Sequence, residues 1–226
     1  MRLGVLFSGG KDSVFAMFKA MEGNEIVCLI SVLSENKESY MFHTPNIHLT
    51  ELQAKAIGIP LLTGKTKGIK EEELVDLKKV IEKAVKKYKI QGIVTGALAS
   101  NYQATRIQKI CDELKIECIN PLWMRNQVEY LKELISSGFE VIVTGVFAEP
   151  LTEKWLGRKI DDEAIKELAK LQKTKGINPA GEGGEIETLV LDGPIFKKKL
   201  KIIKAKTTYN NYTGIYEIKE AKLVKK

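Results

Sequence analysis

The sequence predicts an α/β fold, in which a doubly wound parallel sheet over residues 1–122 is followed by a second, smaller α+β domain over residues 123–226. Three observations lead to this prediction. Short apolar runs alternate with amphipathic segments of helix length, which is typical of β-α repetition. Runs such as VCLISVL and GIVTGAL are apolar almost throughout, so helices are expected to cover both faces of these strands. After Pro121 this repetition gives way to glycine-rich and lysine-rich segments.

The first domain is predicted to contain strands and helices in strict alternation. Each strand is separated from the next by a helix, which is the order that parallel strands require. The predicted strands span residues 2–7, 25–33, 59–63, 92–98 and 116–119. The predicted helices span residues 12–21, 47–57, 70–88 and 101–114.

The second domain is predicted to hold fewer elements. A helix at 127–136, a strand at 140–147 and a helix at 161–173 precede the glycine-rich stretch GINPAGEGGEIETLVLDGP. Two lysine-rich strands follow, with a hairpin turn at Asn210 and Asn211, because asparagine tolerates positive φ. No repeat or low-complexity linker separates the two domains, so we expect them to pack closely and to form a cleft.

The composition is that of a globular protein that folds without disulfides, since 226 residues can bury a sizeable core. Cys28, Cys111 and Cys118 are odd in number and show no CxxC spacing, so we expect reduced core thiols in a cytoplasmic protein. No apolar stretch approaches the ~20 residues of a membrane span, so no membrane partner is expected. Abundant lysine and glutamate beside only two histidines indicate a thermophilic source.

The positive charge is concentrated at the end of the sequence. The formal net charge is +7, and residues 194–226 contain ten lysines against two glutamates. One interpretation is an electrostatic surface for a nucleic acid or an acidic protein. The other is a set of solvated edge-strand lysines that discourage aggregation. The sequence leaves both interpretations open.

The loop after the first predicted strand, SGGKDS at residues 8–13, has the composition of a phosphate-binding site. In a doubly wound sheet, ligands bind beyond the carboxyl ends of the strands, where this loop is expected. Gly9 and Gly10 allow backbone N–H groups to approach an anion closely, and Ser8 and Ser13 can donate from their hydroxyls. The helix that follows directs its positive end to the same place. A tight turn alone explains only part of this pattern.

Two residues of this loop carry charge. Lys11 adds a positive charge for phosphate, and Asp12 is placed to hold a Mg²⁺ that bridges phosphates. Other phosphate motifs are excluded: GIPLLTGKT has five residues between Gly58 and Gly64, where the Walker pattern needs four. The dinucleotide fingerprint GxGxxG does not follow the first strand either.

The SGGKDS loop resembles the pyrophosphate-binding loop of the N-type ATP pyrophosphatases, whose domain is adenine nucleotide alpha hydrolase-like, of the HUP type. A closer resemblance comes from SYMFHTPN at 39–46, TGALASNYQATRIQKIC at 95–111, NPLW at 120–123 and the glycine-rich stretch at 176–194. With these segments the sequence resembles the diphthine ammonia ligase family over nearly its whole length, in the single-enzyme form found in archaea.

The resemblance implies an ATP-dependent amidation. Diphthine on elongation factor 2, ATP and ammonium would give diphthamide, AMP and pyrophosphate through an acyl adenylate. ATP and Mg²⁺ are therefore the implied cofactors. Free ammonium is the expected nitrogen source, since no cysteine has the partners that a glutaminase needs. In this reaction Lys11 and Asp12 would stabilise the charge of the departing pyrophosphate.

Further nucleotide-binding residues follow from the resemblance. Ser31 and Val32 would border the adenine, although they also suit a strand core. Gly96 would let the ribose or adenine approach, although it also suits a turn. Gln103 and Arg106 lie on one helix face, and Arg106 would reach a phosphate rather than remain on the surface.

The substrate side is assigned on the same basis. His43 and Asn46 lie in a loop that would close over the substrate. The glycine-rich stretch carries a cluster of glutamates that would face two cations, ammonium and the trimethylammonium group of diphthine. We hypothesise that Glu182 and Glu185 bind the cationic substrate or deprotonate ammonium. A solvated turn is the simpler alternative. The predicted loop residues are Asn178, Glu182, Glu185 and Glu187.

Two other functions compete with the ligase. A tRNA-modifying ATP pyrophosphatase would use the lysines to follow phosphates, but the catalytic cysteine pair or CxxC metal site of such enzymes is absent, so no nucleic-acid partner is expected. A non-catalytic ATP-binding module generally lacks the complete loop. For the ligase, Lys197, Lys198 and Lys199 are predicted to dock elongation factor 2. The sequence leaves the oligomeric state open, a homo-oligomer included.

Overall fold

A parallel sheet forms the first half of the protein, as the sequence predicts. The computed structural model describes residues 1–36, 46–69 and 71–226. The strand order is β3-β2-β1-β4-β5, with β1 in the centre. The strands are β1 Arg2–Leu6, β2 Glu25–Ser34, β3 Leu61–Thr66, β4 Gly92–Val94 and β5 Glu117–Ile119. The helices are α1 Lys11–Ala20, α2 Thr50–Ile57, α3 Glu72–Tyr88 and α4 Asn101–Leu114, and a 3₁₀ turn at Ile47–Leu49 precedes α2.

Helices cover both faces of this sheet, so the predicted doubly wound architecture is confirmed. One buried cluster joins the sheet to α3 and α4, with Leu77 and Ile107 among its members. The other lies on the opposite face and includes Phe15 and Met17 of α1. Burial on both faces explains why the central strands are apolar throughout.

Two strands differ from the prediction by more than one residue. The fourth strand ends at Val94 instead of residue 98, because the chain leaves the sheet to pass under the start of α1. The third strand runs from Leu61 to Thr66 instead of 59–63, because Gly58 ends α2 with φ +84° and the N–H of Ile59 still bonds to the helix. The apolar run is buried at Ala97 and Leu98 and half-buried at Ile59 and Leu61, and in neither case does it mark the strand limits.

The second domain is built on a four-stranded antiparallel sheet in the order β7-β6-β9-β8. One strand, β7, is absent from the prediction, because its apolar positions directly follow the glycines of the same stretch. The elements are α5 Gln127–Ser136, β6 Glu140–Val146, a 3₁₀ turn at Glu153–Trp155, α6 Asp162–Lys175, β7 Ile186–Asp192, β8 Lys199–Asn210 and β9 Thr213–Val224.

The lysine-rich strands form the predicted hairpin, with its turn displaced by one residue. Asn211 and Tyr212, instead of Asn210 and Asn211, adopt positive φ (45° and 61°). The strand β8 lies at the edge of its sheet, which suits both interpretations of its lysines. Lys197 also has a structural contact, because its ammonium lies beside Gly58 at the end of α2, where a cation is favourable.

The two domains share one core. The ring of Phe15 on α1 lies 5.6 Å from that of Tyr130 on α5 and 5.7 Å from that of Phe139 before β6. Such aromatic pairs contribute about 0.5–1.5 kcal/mol each beyond the area that they bury. The same apolar cluster extends to Leu189 of β7. This packing holds the loop at residues 8–13 against the second domain.

The cysteines are free thiols, as predicted. Cys28 and Cys111 are buried and Cys118 is half-buried. Burial raises the pKa of Cys28 to about 11, so this thiol is inert near neutral pH. Among the helices that the structure describes, none has the length and apolarity needed to cross a membrane.

Candidate functional site

A cleft of about 430 Å³ opens where the carboxyl ends of the parallel strands face the second domain. This size falls in the range of small-molecule sites. Its apolar wall includes Val32, Leu77 and Ile107. Its polar end is formed by the loop at residues 8–13 and the glycine-rich loop at 178–187, whose last two residues begin β7. The predicted site residues that line it are Ser8, Asp12, Ser13, Ser31, Val32, Gly96, Gln103, Glu182 and Glu187.

The loop at 8–13 is shaped by its own residues. Gly9 has φ +79°, a conformation that L side chains rarely adopt. The hydroxyls of Ser8 and Ser13 lie 3.2 Å apart, and the Ser13 hydroxyl donates to the carbonyl of Gly10. The helix α1 begins directly after Gly10. The positive end of α1 and the serine hydroxyls are therefore directed to the cleft, where an anion would be stabilised.

Hydrogen bonds to the second domain and to α2 hold this loop in place. The carbonyl of Gly9 accepts from the backbone N–H of Val190 at 3.1 Å, and the N–H of Lys11 donates to the Thr188 hydroxyl at 3.1 Å. Gln53 of α2 is fully buried, and its amide donates to the carbonyls of both Gly9 and Val190. The glycines at 9 and 10 therefore also allow close packing, since a Cβ on Gly10 would lie 3.2 Å from the carbonyl oxygen of Thr188.

Both oxygens of the Asp12 carboxylate are held. Its Oδ2 accepts from the ammonium of Lys11 and its Oδ1 accepts from the hydroxyl of Tyr130, each at 2.9 Å. Tyr130 is fully buried, and burial together with the Asp12 charge raises its pKa well above the usual range, so it remains a donor. Lys11 is also buried and donates to the carbonyl of Ala180. Its role toward phosphate stays a prediction, which requires that it exchange this partner.

The loop at 8–13 offers Mg²⁺ a single carboxylate, that of Asp12. Asp12 lines the cleft with about one third of its side chain exposed. Within the described ranges, no group of three His, Cys, Asp or Glu side chains converges to hold a metal. Proteins commonly bind Mg²⁺ through one or two carboxylates together with substrate phosphates, which matches a single cleft-facing Asp12.

The three predicted glutamates have different environments, and Glu187 lies in the strand β7 and not in the loop. Glu182 accepts from the N–H of Ala99 at 2.8 Å, and burial, assisted by the Asp12 charge, raises its pKa. Glu185 holds its own turn by accepting from Asn178 with one oxygen and from the N–H of Gly183 with the other. Glu187 lines the cleft instead. The structure therefore brings Glu182 and Glu187 together at the cleft and uses Glu185 in the turn.

The residues predicted to bind the nucleotide also differ in whether they line the cleft. Ser31 lines the cleft, and its hydroxyl donates to the carbonyl of Phe7. Gly96 lines it too, and a Cβ there would lie 2.7 Å from the backbone of Asp12, so close packing of α1 already requires glycine. Arg106 is not among the lining residues: its guanidinium stacks on Tyr102 at 3.5 Å and pairs with Glu71.

The predicted substrate loop lies only partly within the described residues. His43 lies outside the described residues. The amide of Asn46 is engaged at both its nitrogen and its oxygen, because it donates to the carbonyl of Tyr216 and accepts from the N–H of Ile218. Asn46 thereby attaches this segment to β9, and its substrate role stays a prediction.

Sequence reasoning missed Tyr130, Gln53 and Gln127. The side chain of Gln127 accepts from the N–H of Ala180 and donates to Asn178, which fixes the glycine-rich loop. All three lie on amphipathic helices, where a buried tyrosine or glutamine looks like any other helical residue. Only the tertiary structure gives them a partner, so the sequence carries no local signal for them.

Fold and site together define a class: an α/β protein of the doubly wound type, with a glycine- and serine-rich loop after its first strand and an antiparallel domain that completes the cleft. The chain belongs to the diphthamide synthase family, since the N-terminal domain of that family matches residues 1–118 and its C-terminal domain matches residues 126–224. The predicted family is thus confirmed.

Individual relatives carry a consistent name. A Rattus norvegicus protein named "Diphthine--ammonia ligase" is 35% identical over 222 residues, which cover 89% of this chain and 83% of the relative. The Homo sapiens protein of that name is 34% identical over 220 residues, with 88% and 82% coverage. Among solved structures, a 4-thiouridine synthetase in complex with RNA and bound ATP matches with a TM-score of 0.45 at 14% identity, over 84% of this chain and 55% of that chain.

Proposed function

We propose that this chain is an AMP-forming ligase that amidates diphthine on elongation factor 2 with ammonium, at the expense of ATP. Family membership and the name of the relatives support this proposal. The observation that carries it is the composition of the cleft. An anion-binding loop and three carboxylates, Asp12, Glu182 and Glu187, line one cavity, which suits a reaction between a polyphosphate and cationic substrates.

Activation of the carboxylate is the first requirement, because a carboxylate oxygen is a poor leaving group. The diphthine carboxylate attacks the α-phosphorus of ATP, the bond to the β-phosphate oxygen breaks, and pyrophosphate leaves. The serine hydroxyls of the loop at 8–13 and the start of α1 stabilise the charge that accumulates on pyrophosphate. Alignment of the two reactants in one cleft supplies much of the remaining acceleration.

Asp12 is the residue of this chain that would hold Mg²⁺. Bound there, the ion would neutralise phosphate charge during the displacement. The contribution of the chain is to orient the ligand: Lys11 and Tyr130 each hold one oxygen of Asp12 and leave its remaining lone pairs to the cleft.

Amidation completes the reaction. Ammonia attacks the acyl carbon and AMP leaves with the oxygen that joined it to the acyl group. The cationic substrates, ammonium and the trimethylammonium group of diphthine, are attracted by Glu182 and Glu187. The apolar wall of Val32, Leu77 and Ile107 suits the adenine.

The decisive experiment supplies elongation factor 2 that carries diphthine, with ATP, Mg²⁺ and ammonium. We expect AMP, pyrophosphate and a change in the mass of the modified histidine from acid to amide, all abolished in Asp12→Ala. The matched control is Asp162→Ala, an exposed aspartate in α6. AMP that appears only with tRNA would favour a tRNA-modifying enzyme, and ATP that binds without turnover would favour a nucleotide-binding module.

Three expectations from the sequence accompany this proposal. They are a cytoplasmic location, an archaeal-type thermophilic source, and docking of elongation factor 2 on the lysine-rich strands. Because Lys197 also contacts the end of α2, the exposed Lys198 and Lys201 are the cleaner positions for testing docking.

A further inference from the structure

We infer that Glu187 is a catalytic residue of the amidation, the group that accepts a proton from ammonium so that the nitrogen can attack the acyl carbon. This inference rests on the proposed function, because it names the base of the same reaction. It also changes the hypothesis drawn from the sequence, which gave this task to Glu182 and Glu185.

Glu187 is held by a regular strand. It is the second residue of β7 and lies opposite Gly145 of β6. The glycine makes room for it, since a Cβ at position 145 would lie 3.0 Å from the Cβ of Glu187. Its side chain lines the cleft together with Asp12 and Ser13. A reacting group on a strand is positioned more firmly than one on a loop.

The other carboxylates at this end of the cleft are already engaged. Both oxygens of Asp12 accept hydrogen bonds, Glu182 accepts from the loop before α4, and both oxygens of Glu185 hold the turn. Glu187 has no side-chain hydrogen bond or ion pair to the part of the chain that the structure describes. A largely buried carboxylate without donors is unfavourable unless a substrate brings them, and ammonium brings four N–H groups.

The electrostatic surroundings suit a base near neutral pH. Burial raises the pKa of Glu187 to about 7, an effect that the Lys11 charge opposes and the Asp12 charge reinforces. Glu182 faces the same cleft from the glycine-rich loop, and the adjacent position on β6 is the uncharged Gly145. General bases are most effective when their pKa lies near the operating pH.

The proton balance is complete with this one base. Ammonium transfers a proton to the Glu187 carboxylate and becomes ammonia. The nitrogen lone pair forms the C–N bond, the C–O bond to AMP breaks, and the bonding pair stays on the phosphate oxygen. The second proton leaves the added nitrogen for that phosphate oxygen, and Glu187 returns its own proton to water.

The test separates proton acceptance from activation of the carboxylate. In Glu187→Gln, we expect amide formation from ammonium at pH 7 to fall by about 10²-fold or more. Exchange of labelled pyrophosphate into ATP, which reports activation, should stay near the wild-type rate. Hydroxylamine is largely unprotonated at this pH, so it should trap the acyl group in the variant as rapidly as in the wild type.

The pH dependence gives a second readout. A base must be deprotonated, so the wild-type rate at fixed total ammonium should rise with pH through about 7 and then level off. The variant depends on free ammonia, so its rate should keep rising in proportion to that species through neutral pH, where the wild-type rate levels off. Glu140→Gln is the matched control, because Glu140 lies at the other end of β6 and pairs with Lys159.

Each outcome decides the inference. Equal losses with ammonium and hydroxylamine, or loss of pyrophosphate exchange, would assign Glu187 to binding or activation and overturn it. An unchanged rate in the variant would also overturn it. If the wild type itself forms no amide, the proposed function fails first. Should circular dichroism show that Glu187→Gln is unfolded, Glu187→Asp decides, with a smaller loss confined to ammonium expected.

Discussion

The two loops that form the polar end of the cleft are built in different ways. The loop at 8–13 takes its shape from neighbouring residues: Gly9 adopts positive φ, and Ser8 and Ser13 contact each other. The loop at 178–187 depends on distant residues, since Gln127 fixes Ala180 and Glu182 reaches Ala99. The first loop could therefore be identified in the sequence as a unit, whereas only the composition of the second could.

The loop at 8–13 also forms hydrogen bonds with Gln53 and with β7, so long-range contacts add to the local ones that shape it. If the first loop is locally determined, then changes within it should have the largest effects. Changes at the distant partners should have smaller effects that are confined to one function.

Gly9→Ala should have the largest effect. The alanine would have to adopt positive φ, and its Cβ would lie 2.1 Å from the side-chain oxygen of the buried Gln53. We expect unfolding free energy to fall by about 2–5 kcal/mol and ligase activity to be lost. Chemical denaturation and the AMP assay measure the two effects.

Gly23→Ala is the control for Gly9→Ala. Gly23 has φ +81° but no atom within 4 Å of its would-be Cβ, so backbone strain acts alone. We expect a loss of about 1–2 kcal/mol with activity retained. Equal losses in the two variants would mean that the contact with Gln53 has no energetic weight and that the local conformation explains everything.

The fold was more predictable than the site because its signals are repeated. Each central strand of the first sheet is a continuous apolar run and each helix beside it has its own apolar face. The predicted architecture is confirmed. The exceptions have physical causes: β7 follows glycines directly, and the apolar run at 95–98 is buried in an irregular segment instead of a strand. Burial is what an apolar run indicates, and strand geometry is a further condition.

Within the site, the loop at 8–13 was identifiable because glycine, serine and charge are adjacent in the sequence. Tyr130 was not, because the hydrogen bond of its hydroxyl joins it to Asp12, 118 residues earlier. Glu185 and Glu187 are two residues apart and look equivalent in sequence, yet one holds a turn and the other faces the cleft. A distinction of this kind depends on the partner of each carboxylate.

Tyr130→Phe should have an intermediate effect that is confined to catalysis. The variant keeps the ring, which packs against Phe15, and removes the hydroxyl that holds Asp12. A hydrogen bond to a charged group contributes about 1.5–3 kcal/mol, so kcat should fall roughly ten- to a hundred-fold and more Mg²⁺ should be required. Tyr209→Phe, which removes a hydroxyl bonded to the carbonyl of Leu151, is the control. Unchanged kcat and Mg²⁺ dependence would contradict a positioning role.

Gln127→Ala should have the smallest effect and should separate the two loops. It removes the acceptor of the Ala180 N–H and a donor to Asn178, at a cost of about 1 kcal/mol. Because these bonds order the loop at 178–187 and not the loop at 8–13, KM for ammonium should rise roughly fivefold while KM for ATP stays constant. Gln172→Ala on the exposed face of α6 should change neither constant. A parallel rise in both constants would show that the two loops behave as one unit. The hydrogen bond from the Lys11 ammonium to the carbonyl of Ala180 would then be the contact that couples them.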